Sequence, residues 1–164
     1  MNLEELRAAQ APLKARYKTE PAAALVTLHR QGSVDVPAQI CNVKTHLGIT
    51  PAGLHPATGG DGESACSGDM LLEALAGCAG VTLGAVATSM GITVRSGTIT
   101  ASGEIDFRGT LGVSREAPVG FKNITLAFDL DTDAAPESLA KLLELTERYC
   151  VVYQTLKNPP ELRR

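Results

Sequence analysis

From Met70 to Ile92 the chain runs without a single lysine or arginine, and Glu73 is its one charged residue. The run includes "EALAGCAGVTLGAVATSM", Glu73–Met90, apolar or small at nearly every position. As a helix from about 68 to 90 it would be roughly 34 Å long. A helix apolar on nearly all sides is buried on nearly all sides, so the rest of the chain must be arranged around it. The length would also span a bilayer. Glu73, the interior glycines, Ser and Thr, and the lack of closely flanking basic residues on its N-terminal side favour a buried helix of a soluble protein instead. Ser67 is the expected N-cap and Gly91 the expected stop.

One stripe of this helix is unusual. Gly77, Gly80 and Gly84 share a face, continued by Glu73 and Thr88. Each interior glycine costs about 1 kcal/mol relative to alanine, so three in a row predict another backbone at close range. It belongs either to a second helix of the same chain or to a second subunit.

The remaining segments predict strands and two further helices. Leu3, Leu6, Gln10, Leu13 and Tyr17 recur at helical spacing, with a break or kink expected at Pro12. "ALVTLHR" and "VDVPAQICNVKTH" read as strands joined by a turn at "QGS". "LGITPAGLHPATGGDGESACSGD" reads as one long Gly- and Pro-rich loop, of the length often found at functional sites. "GTITASGEIDFRG" and "FKNITLAFDL" read as strands, the second with Ile124, Leu126, Phe128 and Leu130 on one face. A last helix holds Leu139, Leu142, Leu143, Thr146, Tyr149 and Cys150 at helical spacing. The order predicts an α+β fold with an antiparallel sheet packed on helices. At 164 residues the chain fits one domain over 1–164, with 1–21 a helical arm and connector and 22–164 the core. With six aromatics and no tryptophan, that core is mostly aliphatic. A formal charge of -3 offers no basic footprint for nucleic acid. The N-terminus lacks the basic and apolar regions of a secretory signal. The expected location is the cytoplasm, where thiols stay reduced.

Four cysteines stand at 41, 66, 78 and 150. Cys78 lies beside the glycine stripe with Leu71, Ala74, Leu75, Thr82 and Ala85 on its face. Taken alone, Cys78 and Cys150 each read more readily as small core hydrophobes than as reactive thiols. No Cys-x-x-Cys is present. The cysteines and His29, His46 and His55 show no chelating spacing, so no metal and no cofactor are expected.

Two motifs together change that balance. "SGDMLLEALAGCAGVTL" resembles the signature of the OsmC/Ohr family of thiol-dependent hydroperoxide reductases, in which an acidic residue, aliphatics and small residues lead to the reactive cysteine. "ERYCVVYQTL", 72 residues further on from cysteine to cysteine, is similar to the family's second motif, usually Cys-Pro-Val followed by Leu. The likeness extends over about 59–164 and is only an outline over 22–49. It implies an OsmC-like α+β fold, an antiparallel sheet wrapped on long central helices in an intertwined homodimer with its sites at the subunit interface. It further implies that Cys78 attacks an organic hydroperoxide and becomes a sulfenic acid, that Cys150 condenses with it to a disulfide, and that an external dithiol, of the lipoyl type, restores both.

A buried thiol must still ionise to react. The dipole of its own helix fades within the first turn, about ten residues from Cys78. A cation is therefore expected. The resemblance implies an arginine from the first strand pair, held by an acidic residue before the cysteine helix. Arg30 is the best match, Arg108 the next, and Asp69 takes the acidic position, where the family usually has glutamate. Asp69 would lie roughly 13 Å from Cys78 along the axis, able to orient a cation but not to touch sulfur; it is equally readable as a favourable charge at a helix start. Val151 replaces the family's proline. Cys66 is a spare resolving thiol or a loop residue, Cys41 a core residue, and His55 a loop residue or a pocket lining. The leading expectation is a peroxidase. The alternatives are a non-catalytic OsmC-like pocket for an apolar small molecule, with structural or regulatory cysteines, and a different thiol chemistry in the same pocket.

Overall fold

The computed structural model describes all 164 residues, Met1–Arg164. In chain order it contains α1 (Leu3–Thr19), β1 (Gln31–Asp35), β2 (Ile40–Thr45), β3 (Gly48–Gly53), β4 (Ala65–Cys66), α2 (Ser67–Met90), β5 (Val94–Ile105), α3 (Phe107–Thr110), β6 (Phe121–Thr132), α4 (Pro136–Tyr149) and α5 (Val151–Lys157). This is the expected α+β class. The strands form two sheets, one ordered β1-β2-β3-β4 and one pairing β5 with β6. The chain divides into two compact units.

One unit comprises residues 29–77 and 99–128. Its four-stranded sheet is antiparallel from β1 to β3, and the two residues of β4 run parallel to β3. The expected turn at "QGS" is instead the body of β1. Gly32 is there for close approach, because a Cβ on it would lie 2.5 Å from the Cys41 sulfur. The hairpin turns four residues later, at 36–39. Pro37 presets one dihedral, the Asp35 carboxylate accepts from the Ala38 amide at 3.2 Å, and Gln39 takes the left-handed conformation at φ 55. Residues 25–30 carry no regular structure, contrary to the strand read in "ALVTLHR". The long loop is also partly ordered, since it supplies β3 and β4. Within it, Gly60 is indispensable: a Cβ there would stand 1.8 Å from the carbonyl oxygen of Leu54.

The other unit comprises residues 1–28, 78–98 and 129–164. α1 passes through Pro12 unbroken. Asn2 and Glu5 form a reciprocal capping box, and the alanine-rich sequence on either side carries the helix past the one amide that proline lacks. Ala79, Leu83 and Ala87 of α2 and Leu142 and Thr146 of α4 are buried. The Thr146 hydroxyl is satisfied by the carbonyl of Leu142 at 2.8 Å. α2 stops at Gly91, whose φ of +68 lets Ile92 bond back to Ala87 at 2.9 Å, a glycine-terminated helix end. Arg95 on β5 holds both Asp131 of β6 and Asp133 just past the end of that strand. By length and composition α2 is apolar enough to cross a membrane.

The last helix differs from expectation where it matters most. The sequence predicts one helix through Cys150; the chain forms two, with Cys150 as the joint.

Candidate active site

α4 is a strongly amphipathic helix whose buried positions Leu142 and Thr146 lead, four residues on, to Cys150, itself fully buried. There the backbone turns extended, at φ -73 and ψ 110. The Cys150 amide closes α4 on the carbonyl of Thr146 at 2.9 Å. Its sulfur opens α5 by accepting the Tyr153 amide at 3.4 Å. One residue thus caps both helices. The extended geometry releases the amides of Val151 and Val152 from the helical pattern.

Cys78, half-buried in the middle of α2, has those amides among its neighbours. Burial is the largest single influence on its thiol and pushes the pKa up. Four neighbouring groups act against it: the amide of Val152, the thiol of Cys150, the amide of Val151 and the side chain of Thr82. Together they bring Cys78 below the ordinary thiol value. Cys150 moves the other way. Burial raises its pKa, and both the hydrogen bond it gives Cys78 and the negative charge there raise it further; the amides of Tyr153 and Val152 oppose this only in part. The two thiols are thus pushed apart: Cys78 below the ordinary thiol value and Cys150 above it. Both are free, as are Cys41 and Cys66.

The sequence singled out both thiols but not the groups that lower the pKa of the first. Two of these groups are neutral main-chain amides from a segment about 70 residues away in sequence. Thr82, four residues after Cys78 on the same helix face, was within reach of pattern reading. The released amides were not, because "TERYCVVYQTL" is continuously helix-compatible. The usable signal was the motif's customary proline after the second cysteine, since proline is favoured at the first position of a helix and so marks a new start.

The other expected site residues belong to the unit of residues 29–77 and 99–128. Arg30 is exposed, and its guanidinium donates to the carbonyl of His29 at 2.6 Å. With His29, Gln31, Lys44, Thr45 and His46 it lines a cleft of about 590 Å³. Asp69 lies in the first turn of α2 and, with Glu73, borders a second cleft of about 330 Å³ against Ile99–Ala101 of β5. Arg108 is engaged locally. Its Nε lies 2.9 Å from the Asp106 carboxylate that caps α3, and this pairing holds Asp106 down at about 2. His55 is also occupied structurally: Nδ1 accepts from the Ala57 amide at 3.0 Å and the ring stacks on Phe107 at 4.9 Å. Cys66 sits in β4 opposite Gly53. No three His, Cys, Asp or Glu side chains gather as metal ligands.

The chain thus has an α+β fold with one long apolar helix, and Cys78 of that helix neighbours Cys150 within one unit. The chain belongs to the OsmC-like protein family, whose pattern matches residues 60–163. No curated protein sequence matches it. Among solved structures, an OsmC-like protein from Mycoplasma pneumoniae is similar at TM-score 0.68 and 13% identity, over 82% of this chain and 89% of that one. An organic hydroperoxide resistance protein from Elizabethkingia anophelis, bound to thiocyanate, is similar at TM-score 0.64 and 16% identity, over 83% and 91%. The organic hydroperoxide resistance protein OhrB of Bacillus subtilis is similar at TM-score 0.55 and 16% identity, over 83% and 94%. At these identities the likeness shows a shared fold.

Proposed function

We propose that this protein is a thiol-dependent peroxidase that reduces organic hydroperoxides. What supports this best is the pair itself: Cys78 with its pKa lowered and, beside it, Cys150 with its pKa raised. In the first step the Cys78 thiolate attacks the distal oxygen of the hydroperoxide. The O–O bond breaks, Cys78 becomes the sulfenic acid, and the alcohol leaves with the proton that Cys150 supplies. The Cys150 thiolate then attacks the Cys78 sulfur, forming the disulfide and expelling the hydroxyl as water once it takes a proton. An external dithiol, for which a lipoyl group is our candidate, restores both thiols by exchange. No cofactor or metal enters this cycle.

In this reading Arg30, oriented by Asp69, brings the positive charge that strengthens the Cys78 thiolate during attack, with Arg108 second because Asp106 already holds it. The working form is a homodimer in the cytoplasm. What supports the dimer is the outward face of α2: Val81 is 78% exposed, and a Cβ added to Gly77 or Gly84 would meet nothing within 4 Å. The backbone expected against that stripe is not supplied by this chain, which leaves a second copy.

The test is consumption of cumene hydroperoxide with dihydrolipoamide or dithiothreitol. The wild type should turn over and form a Cys78–Cys150 disulfide when reductant is withheld. Cys78→Ser should lose all turnover, whereas Cys150→Ser should form the sulfenic acid once and stop. A wild type that consumes no hydroperoxide under these conditions rejects the peroxidase in favour of a binding pocket.

A further inference from the structure

Breaking a helix at Cys150 leaves a debt in the backbone. In an unbroken helix the carbonyl of Glu147 would accept the amide of Val151, four residues on. Here that bond is not made: the Cys150 amide is the last to close α4, on Thr146, and the Val151 amide is one of the groups that lower the Cys78 pKa. A carbonyl stripped of its partner in a partly buried place costs free energy, and the simplest relief is for the chain to revert to continuous helix. Reversion would withdraw the amide of Val151 from the sulfur.

Gln154 removes that incentive. Its side-chain Nε2 donates to the carbonyl oxygen of Glu147 at 2.9 Å, across the joint and seven residues back in sequence. The other end of the same amide is fixed as well, because Oε1 accepts from Asn158 Nδ2 at 3.2 Å. The two bonds agree on one orientation, with nitrogen toward Glu147 and oxygen toward Asn158. Meanwhile the Gln154 main-chain amide bonds to the carbonyl of Cys150 at 2.9 Å, so this residue ties α5 to both sides of the break.

We infer that Gln154 is a positioning residue for the paired-thiol site: its amide replaces Val151 as the donor to Glu147 and thereby keeps the Val151 and Val152 amides directed at the Cys78 sulfur. The role rests on the reading of Cys78 as the reacting thiol, but it concerns the resting protein and needs no peroxide to observe.

The test is the pH dependence of Cys78 alkylation by iodoacetamide, followed by peptide mass spectrometry so that each cysteine is read separately. Gln154→Met keeps length and bulk but has no donor. In this variant the midpoint for Cys78 should rise by about one pH unit, which is roughly tenfold slower alkylation below the midpoint. Cys66, in the other unit, should keep its wild-type profile. An unchanged Cys78 profile overturns the inference, and so does a parallel change at Cys66, which would mean general loosening. If Gln154→Met does not fold, Asn158→Ala releases only the outer anchor. It should shift Cys78 in the same direction by a smaller amount, and no shift overturns the inference. Hydroperoxide consumption is measured separately. A wild type inactive in that assay whose Cys78 still depends on Gln154 would reject the peroxidase and keep the positioning role.

Discussion

At the scale of single residues, the reactivity of Cys78 is a contest between desolvation and hydrogen bonds. Burial favours the neutral thiol, and donors that bond to the charged sulfur favour the thiolate. Because Cys150 is one of those donors, its replacement is informative by type. Cys150→Ser keeps an O–H in place and should leave the Cys78 titration near its wild-type position. Cys150→Ala removes the donor and should raise it, and site-resolved alkylation against pH distinguishes the two. The signs also fix how stability responds to pH. With its folded pKa lowered, Cys78 contributes stability that is complete above the ordinary thiol value near 9 and disappears as pH falls through the folded value. Cys150, raised, contributes below that ordinary value and loses its contribution as pH rises through its own. Urea midpoints of Cys78→Ser and wild type should therefore diverge toward alkaline pH.

At the scale of elements, most of what the sequence offered was periodicity, and periodicity served well where one face is buried. The face of β6 through Ile124, Leu126, Phe128 and Leu130 alternates with exposed positions as expected. The stripe of α4 leads straight to Cys150. Reading failed where local chemistry overrides pattern. "QGS" looks like a turn, yet its glycine is there so that a sulfur can pass; the real turn lies at a Val-Pro-Ala-Gln stretch that Asp35 closes from outside. The break at Cys150 was invisible for the same reason, since nothing in "YCVV" forbids a helix and the partners that reward the break come from α2. Two element-level outcomes follow. Leu142→Ala, at a fully buried position of α4, should cost about 2–5 kcal/mol in chemical denaturation. Val151→Pro is compatible with a first helical position but removes one donor to Cys78. It should leave the fold intact and move the Cys78 titration upward, and an unmoved titration would assign the ionisation to the other donors.

At the scale of the whole molecule, the feature read first has the largest consequence. An α-helix this apolar, with Gly77 and Gly84 open to solvent, is the kind of exposed surface that marks an interaction site. If its partner is a second copy, light scattering at micromolar concentration should give twice the chain mass. Val81→Arg should weaken the association, because a charge buried without a partner is costly at an interface. A wild type that scatters as a single chain would mean that the stripe is met by something other than itself. The sequence led to the expectation of a close neighbour at the stripe, because glycines repeated along one helix face weaken the helix unless such a neighbour offsets the loss. It left open whether that neighbour is a helix of the same chain or a second subunit, since that depends on which helices the topology brings alongside.

The two amides at the joint have a use beyond chemistry. An N–H proton pointed at sulfur senses the electron density on that sulfur directly, and its resonance frequency changes when a thiolate is protonated, oxidised or joined to a second sulfur. The Val151 and Val152 amide signals in a nitrogen–proton correlation spectrum should therefore shift first and furthest as hydroperoxide is added, giving a label-free readout of each state through which the thiol passes.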